Sequence, residues 1–464
     1  MRVVLVSTYD MGRQPFGLAS PAAWLRRAGC EVACVDVSKE PLRDDLIAGA
    51  TAVGIHLPMH TATRLAGPVI QRVRRVNPSV RLCAYGLYAP LNEPWLRSLG
   101  VEAVFGGEFE EELTAWATGV EKPQRPQRSK SMVTNGFSAV SAVSAVKRDP
   151  IPRIRFLVPD RSGLPPLSRY ASLQLPDGMR RAAGYTEASR GCKHLCRHCP
   201  IVPIYEGQFR IVQHEVVLAD IDAQVAAGAG HITFGDPDFF NGPTHAIRIV
   251  EALHAAHPSV SYDVTIKIEH LLRHRDLLPR LGATGCAFVT SAVESLDDDV
   301  LALLQKGHTR ADFIEGVGVC RETGVTLVPT FVAFHPWLSL ESYCDLLDTI
   351  AALDLVDHVA SIQLAIRLLV PQGSHLLRLP EMRRHLGTFD PATLTYPWSH
   401  PDPRVDALQQ DVSSIVGARL NADRRVVFDA ISALAHERAG VPRTSVTPAR
   451  DRATVPYLNE PWYC

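Results

Sequence analysis

The 464-residue chain has no run of about 18 uncharged apolar residues, the length a membrane-spanning helix needs, so a span is excluded. The apolar stretch Val3–Val6 is too short for a secretory leader, and a cytoplasmic location is expected. Charge of one sign is also missing: 48 Lys and Arg stand against 49 Asp and Glu, a net charge of -1. Without a basic excess, nucleic acid and anionic membranes are not expected partners. A disulfide framework is lacking too. The ten cysteines of a large chain without a secretion signal read as reduced thiols. Seven of them, Cys30, Cys34, Cys83, Cys286, Cys320, Cys344 and Cys464, are scattered singly.

What is present is a folded α/β protein. Hydrophobic residues at 46% and charged ones at 21% are ordinary for a globular chain, and the length calls for at least two domains. Residues 1–120 alternate short β-type runs with helical ones, which predicts a doubly wound parallel sheet. Such sheets bind ligands beyond the carboxyl ends of their strands, where Tyr9, His56, Tyr85 and Phe105 begin polar or glycine-containing turns. Residues 121–150 are rich in Pro, Gln, Lys and Ser and then repetitive in Ser, Ala and Val, which predicts a flexible linker. Residues 151–374 hold a second series with six strand candidates, the last at Ala360–Arg367, and predict a partial (β/α)6 barrel. Residues 375–464 read as a mainly helical region with an extended, proline-rich tail.

The three remaining cysteines stand together, in Gly191-Cys192-Lys193-His194-Leu195-Cys196-Arg197-His198-Cys199-Pro200. A Cys-x3-Cys-x2-Cys loop can wrap one corner of a cubane and ligate three of its four irons. The fourth iron is left open to a chelating small molecule. A zinc site is the competing reading, because His194 or His198 could complete a four-ligand set.

This spacing resembles the signature of the radical S-adenosylmethionine (SAM) superfamily. The resemblance implies a [4Fe-4S] cluster on Cys192, Cys196 and Cys199, SAM as cofactor, a small-molecule substrate, and an electron donor such as flavodoxin or ferredoxin. It also implies SAM contacts. Gly235 and Asp236 match the segment after the second barrel strand, and Glu294 and Ser295, followed by Lys306, match the stretch after the fourth. Taken singly, Asp236, Asp238 and Glu294 read equally well as loop or helix-cap residues. His198 departs from the pattern, since an aromatic residue usually precedes the third cysteine and packs near the adenine. Arg367, on the last strand candidate, is assigned to the SAM carboxylate, with a structural salt bridge as the alternative.

The stretch Val104–Glu112 resembles the Gly-Glu-x-Glu close of the cobalamin-binding domain found in one large subgroup of that superfamily. Cobalamin is thus an expected cofactor of residues 1–120. No Asp-x-His-x-x-Gly motif supplies a lower cobalt ligand, and a domain that keeps the fold alone is the alternative. Further on, the chain resembles the CUAEP/CCAEP-tail radical SAM proteins, whose tails carry a cysteine followed by selenocysteine or cysteine. By that resemblance Cys464 is a catalytic candidate, with the second chalcogen residue expected just beyond it. A soft pair of this kind suits arsenic or another soft atom. The activity implied is cleavage of SAM with transfer of a methyl or 3-amino-3-carboxypropyl group, and the alternative is a non-catalytic iron-sulfur, zinc or cobalamin sensor. Glu269, His270 and His335 are expected at the barrel mouth, and Cys286 in packing.

Overall fold

The structure, a computed structural model, describes residues 1–120, 151, 153–419, 422–443 and 455–459. The expected linker at 121–150 and the candidate Cys464 lie outside the described residues.

Five strands, β1 (Arg2–Ser7), β2 (Glu31–Asp36), β3 (Ala52–His56), β4 (Arg81–Tyr85) and β5 (Ala103–Phe105), form the first sheet. All pairs are parallel, in the order β2-β1-β3-β4-β5. Successive side chains of a strand point to opposite faces, so the unbroken apolar run of β1 requires cover on both. Val3 and Leu5 pack with Leu18 and Leu25 of the helix Phe16–Arg27 and Leu113 of the helix Glu110–Thr118. On the other face Val4 and Val6 join Ala62 and Ile70 of the helix His60–Val76. The order reverses at β1, so the ends of β1 and β3 open a crevice beside the expected ligand turns.

The second sheet runs β13-β12-β11-β10-β7-β6-β14. Its strands are β6 (Ser172–Gln174), β7 (Arg180–Thr186), β10 (His231–Phe234), β11 (Ser261–Thr265), β12 (Cys286–Glu294), β13 (Leu327–Phe331) and β14 (Tyr457–Leu458). β7 and β10 to β13 are parallel, whereas β6 and β14 add antiparallel strands at one edge. Two short strands, β8 (Ser189–Gly191) and β9 (Phe209–Ile211), form a separate hairpin around the cysteine loop.

The sixth barrel strand expected at Ala360–Arg367 is corrected here. Ser361–Leu364 is a 3-10 helix, and only Phe334 and Arg367 make an isolated parallel bridge. The side-chain Oε1 of Gln363 accepts the Phe331 amide at 3.2 Å, in the place of a backbone carbonyl of a sixth strand. The helices Pro403–Ala418 and Arg424–Ala439 bear out the helical reading of the C-terminal region and share the barrel's core through Leu408, Val412, Phe428 and Ile431. Among the described residues no helix is long and apolar enough to cross a membrane.

Candidate active site

Both sheets turn the carboxyl ends of their strands toward one cavity of about 550 Å³. Asp10, His56, Gly86, Tyr88 and Gly107 line it from the side of the first sheet, Glu294 and Lys306 from that of the second, and Cys192, Cys196 and Cys199 from the loop of the β8–β9 hairpin.

The cysteine loop leaves β8 through Gly191, whose φ of +74° is in the left-handed region. A Cβ there would lie 2.4 Å from the Tyr205 ring and 2.5 Å from the Gln208 carbonyl oxygen, so only glycine fits. The loop is then held by its backbone: Lys193 N donates to Asn241 Oδ1 at 3.2 Å, and Arg197 N to the Leu304 carbonyl at 3.0 Å. Cys192 and Cys196 are buried and Cys199 half-buried, all as free thiols. Burial pushes the Cys199 thiol up to about 12 and the Cys192 thiol up as well, so their thiolates form together with iron binding.

The thiols suit a cubane better than a single zinc. Thiolates 2.3 Å from one tetrahedral ion lie about 3.8 Å apart. Among the described residues the ligand atoms drawn together within 4.8 Å are those of His194, Asp238 and His270, not the three sulfurs. Nor do the two loop histidines complete a cysteine set. His198 Nε2 is hydrogen-bonded to Glu294 Oε1 at 3.0 Å, and His194 faces Asp238.

Glu294 ends β12 at a register irregularity, and its own φ of +71° is unusual for a residue with a side chain. That conformation sets its carboxylate at the cavity wall, where Lys306 Nζ donates to Oε1 at 3.3 Å. Burial alone would raise this carboxyl, but the Lys306 ammonium and His198 overturn that and hold it down at about 2. The site thus presents a fixed anion beside a buried cation.

Gly235 and Asp236 also line the cavity, by a different logic. A Cβ on Gly235 would lie 1.7 Å from the Tyr185 hydroxyl oxygen, so the glycine makes room for that ring. Asp236 is buried and accepts from Ala188 N at 2.9 Å and Ser189 Oγ at 2.5 Å. Burial pushes its carboxyl up to about 7 against those hydrogen bonds. It braces the strand entering the cysteine loop.

Two further expected contacts have partners within the protein. Ser295 is buried, does not line the cavity, and accepts the Asp297 amide at 3.1 Å. Arg367 does line the cavity, yet its guanidinium donates to Asp406 Oδ1 at 2.7 Å and to the Trp398 carbonyl at 2.6 Å, and stacks on the Trp398 ring. That is the salt-bridge alternative. Of the residues expected at the barrel mouth, none of Glu269, His270 and His335 lines the cavity. Cys286 packs at the edge of the core as expected.

Sequence reasoning missed Arg190, Glu187, Lys267 and Asp10. Arg190 is buried among Glu108, Glu110 and Glu187 at 3.1, 2.7 and 2.6 Å. Lys267 adds a second buried lysine to the cavity wall, and burial pushes the Asp10 carboxyl up to about 7. The one available signal was Arg190 itself, an arginine immediately before the Gly-Cys that opens the loop.

A half-barrel that opens three clustered thiols and a fixed carboxylate–lysine pair onto one cavity is the architecture of an enzyme that works through an iron-sulfur cluster and a bound small molecule. Residues 186–351 match the family model described as the Radical SAM superfamily, so this segment of the chain is a radical SAM domain, a domain of enzymes that work through a [4Fe-4S] cluster and SAM. No curated protein matches the sequence. Solved structures of similar fold include the cobalamin-dependent S-adenosylmethionine radical enzyme OxsB with aqua-cobalamin and S-adenosylmethionine bound. It is 14% identical, with a TM-score of 0.69 covering 95% of this chain and 72% of that one. Another is the radical S-adenosylmethionine methyltransferase TsrM from Kitasatospora setae with cobalamin and a [4Fe-4S] cluster bound, 18% identical, with a TM-score of 0.57 covering 76% and 73%. At these identities the likeness is one of fold.

Proposed function

We infer that this enzyme transfers a methyl group from SAM to a small substrate by way of cobalamin held against the first sheet. The observation that carries this is the single cavity: the strand ends of the first sheet and the cysteine loop border the same space. When bound, the cluster supplies an electron that cleaves a carbon–sulfur bond of SAM, and cobalamin supplies a carrier for a methyl group. The chain's own part is positional. Cys192, Cys196 and Cys199 hold three irons, and Glu294 with Lys306 offers an acceptor and a donor to the polar groups of SAM. Met11, Met59, Tyr88 and Gly107 form a largely apolar cradle for a flat cofactor, and the buried Nδ1 of His56 has no hydrogen-bond partner there. Electrons come from a reduced protein of the flavodoxin or ferredoxin kind.

A second reading is transfer of the 3-amino-3-carboxypropyl group to a soft atom such as arsenic, with Cys464 as the thiol that holds it. Pro456, Tyr457 and Leu458 line the cavity and favour it. The six residues after Leu458 span at most about 20 Å, so Cys464 can reach this space.

Anaerobic reconstitution decides between them. About four iron and four sulfide per chain are expected, and are lost on Cys192→Ala. Cobalamin retained by the protein, with S-adenosylhomocysteine formed under reductant, supports methyl transfer. Methylthioadenosine formed without cobalamin supports the second reading. Intact SAM with no iron and no sulfide retained by Cys192, Cys196 and Cys199 overturns both.

A further inference from the structure

Three polar atoms meet beside the cysteine loop without satisfying one another. His194 lies between Cys192 and Cys196, Asp238 just past β10, and His270 in the helix Ile268–Arg273. Nε2 of His194 is 3.3 Å and Nδ1 of His270 is 2.7 Å from the same oxygen, Oδ2 of Asp238. All three ligand atoms lie within 4.8 Å of one another. Asp238 is 0% and His270 4% exposed, yet none of these atoms meets hydrogen-bond geometry with any partner. Buried polar atoms are rarely left so, and the group calls for something that satisfies all three at once.

We propose that His194, Asp238 and His270 bind one divalent transition-metal ion, zinc or ferrous iron, which staples the cysteine loop to the barrel. Two imidazole nitrogens and one carboxylate oxygen are the donor set such ions take. The surroundings orient the ligands as metal sites require. Asp238 Oδ1 accepts the Phe240 amide at 3.2 Å, which leaves Oδ2 turned to the histidines. Glu269 Oε2 lies 3.7 Å from Nδ1 of His194, beyond hydrogen-bond distance but on the side of the nitrogen the ion would not use. The three ligands come from three separate segments, so one ion would tie the cysteine loop to the carboxyl ends of β10 and β11. This site is separate from the cubane, and its failure would leave the reading of the reaction untouched.

The test uses the full chain with Cys192, Cys196 and Cys199 all changed to Ala, so that no cluster iron confuses the count. After equilibration with zinc and gel filtration, one zinc per chain is expected, and cobalt(II) in its place should give visible ligand-field bands. Adding His270→Gln or Asp238→Asn should weaken zinc binding by about tenfold or more. Retention unchanged by both substitutions, or no zinc retained at all, overturns the proposal. The latter result would mean that the two histidines simply flank the carboxylate. Should the triple variant lose its far-ultraviolet circular dichroism, the reconstituted wild type gives the same decision, as one zinc or one surplus iron beyond the cluster's four.

Discussion

Arg190 Nη1 lies 2.7 Å from Glu110 Oε1, which ties the strand feeding the cysteine loop to the last helix of the first sheet. The same guanidinium reaches Glu108, so the acidic stretch after β5 is an electrostatic latch on the cluster strand. The cavity is lined from both sheets, and this latch joins the first of them to the cysteine loop.

Replacing Arg190 by Met leaves the buried carboxylates of Glu108 and Glu110, and the half-buried one of Glu187, without the cation they share. Removing one partner of a buried ion pair costs about 3–5 kcal/mol. Urea unfolding of the apo-protein should show a loss of that size, and adding Glu108→Gln and Glu110→Gln should recover part of it. A loss under about 1 kcal/mol would mean that the cluster of charges is well solvated.

Gly191→Ala places a methyl group where the Tyr205 ring and the Gln208 carbonyl already stand, at a φ of +74°. Strain in the left-handed region adds about 1–3 kcal/mol to the clash. The expected result is a protein that folds but loads much less iron, because the strain falls on the entry to Cys192. Full iron and sulfide content in the variant would show that the loop can move aside.

How far this site could be read from sequence follows from distance along the chain. Cys192, Cys196 and Cys199 are contiguous, so their chemistry is legible without a fold. Glu294 and Lys306 lie within twelve positions and were legible as a matching stretch. Arg190 and Glu108 are 82 positions apart, and nothing but tertiary structure joins them. The sixth strand was misread because Ala360–Arg367 has a strand's composition, and composition does not show that the Phe331 amide pairs with the Gln363 side chain. The partners of Arg367 were hidden for a similar reason, since Trp398 and Asp406 belong to a later segment.

Glu294→Gln keeps the shape of the side chain and removes the charge that faces Lys306 and His198. The buried ammonium then lacks its carboxylate, so stability should fall by about 3 kcal/mol in the apo-protein. Iron content should be unchanged, because Glu294 is not a cluster ligand, while SAM affinity should drop by about tenfold or more, roughly 1.4 kcal/mol. Equilibrium dialysis with labelled SAM reads this directly. Affinity equal to wild type would remove Glu294 and Lys306 from the SAM site.

His335 provides a test by pH. It is 4% exposed, and its Nδ1 has no hydrogen-bond partner. Burial, with a smaller contribution from His400, holds its imidazole down at about 3. In the unfolded chain a histidine titrates near 6.5. Between these values the unfolded state binds the extra proton, so the native state loses stability as pH falls below about 6.5, and the contribution is fully present above it. The slope is about 1.4 kcal/mol per pH unit for one fully buried histidine, or about 2 kcal/mol between pH 6.5 and 5. Other buried groups, Asp10 and Asp236 among them, titrate with the opposite sign in this range, so the wild-type curve alone is not diagnostic. The difference between wild type and His335→Gln isolates the term, since those groups are common to both proteins. Urea unfolding at half-unit steps should show the wild type losing its advantage over the variant as the solution is acidified. A difference that stays flat from pH 7 to 5 would mean that His335 charges without cost, and hence that water reaches a ring the fold otherwise encloses.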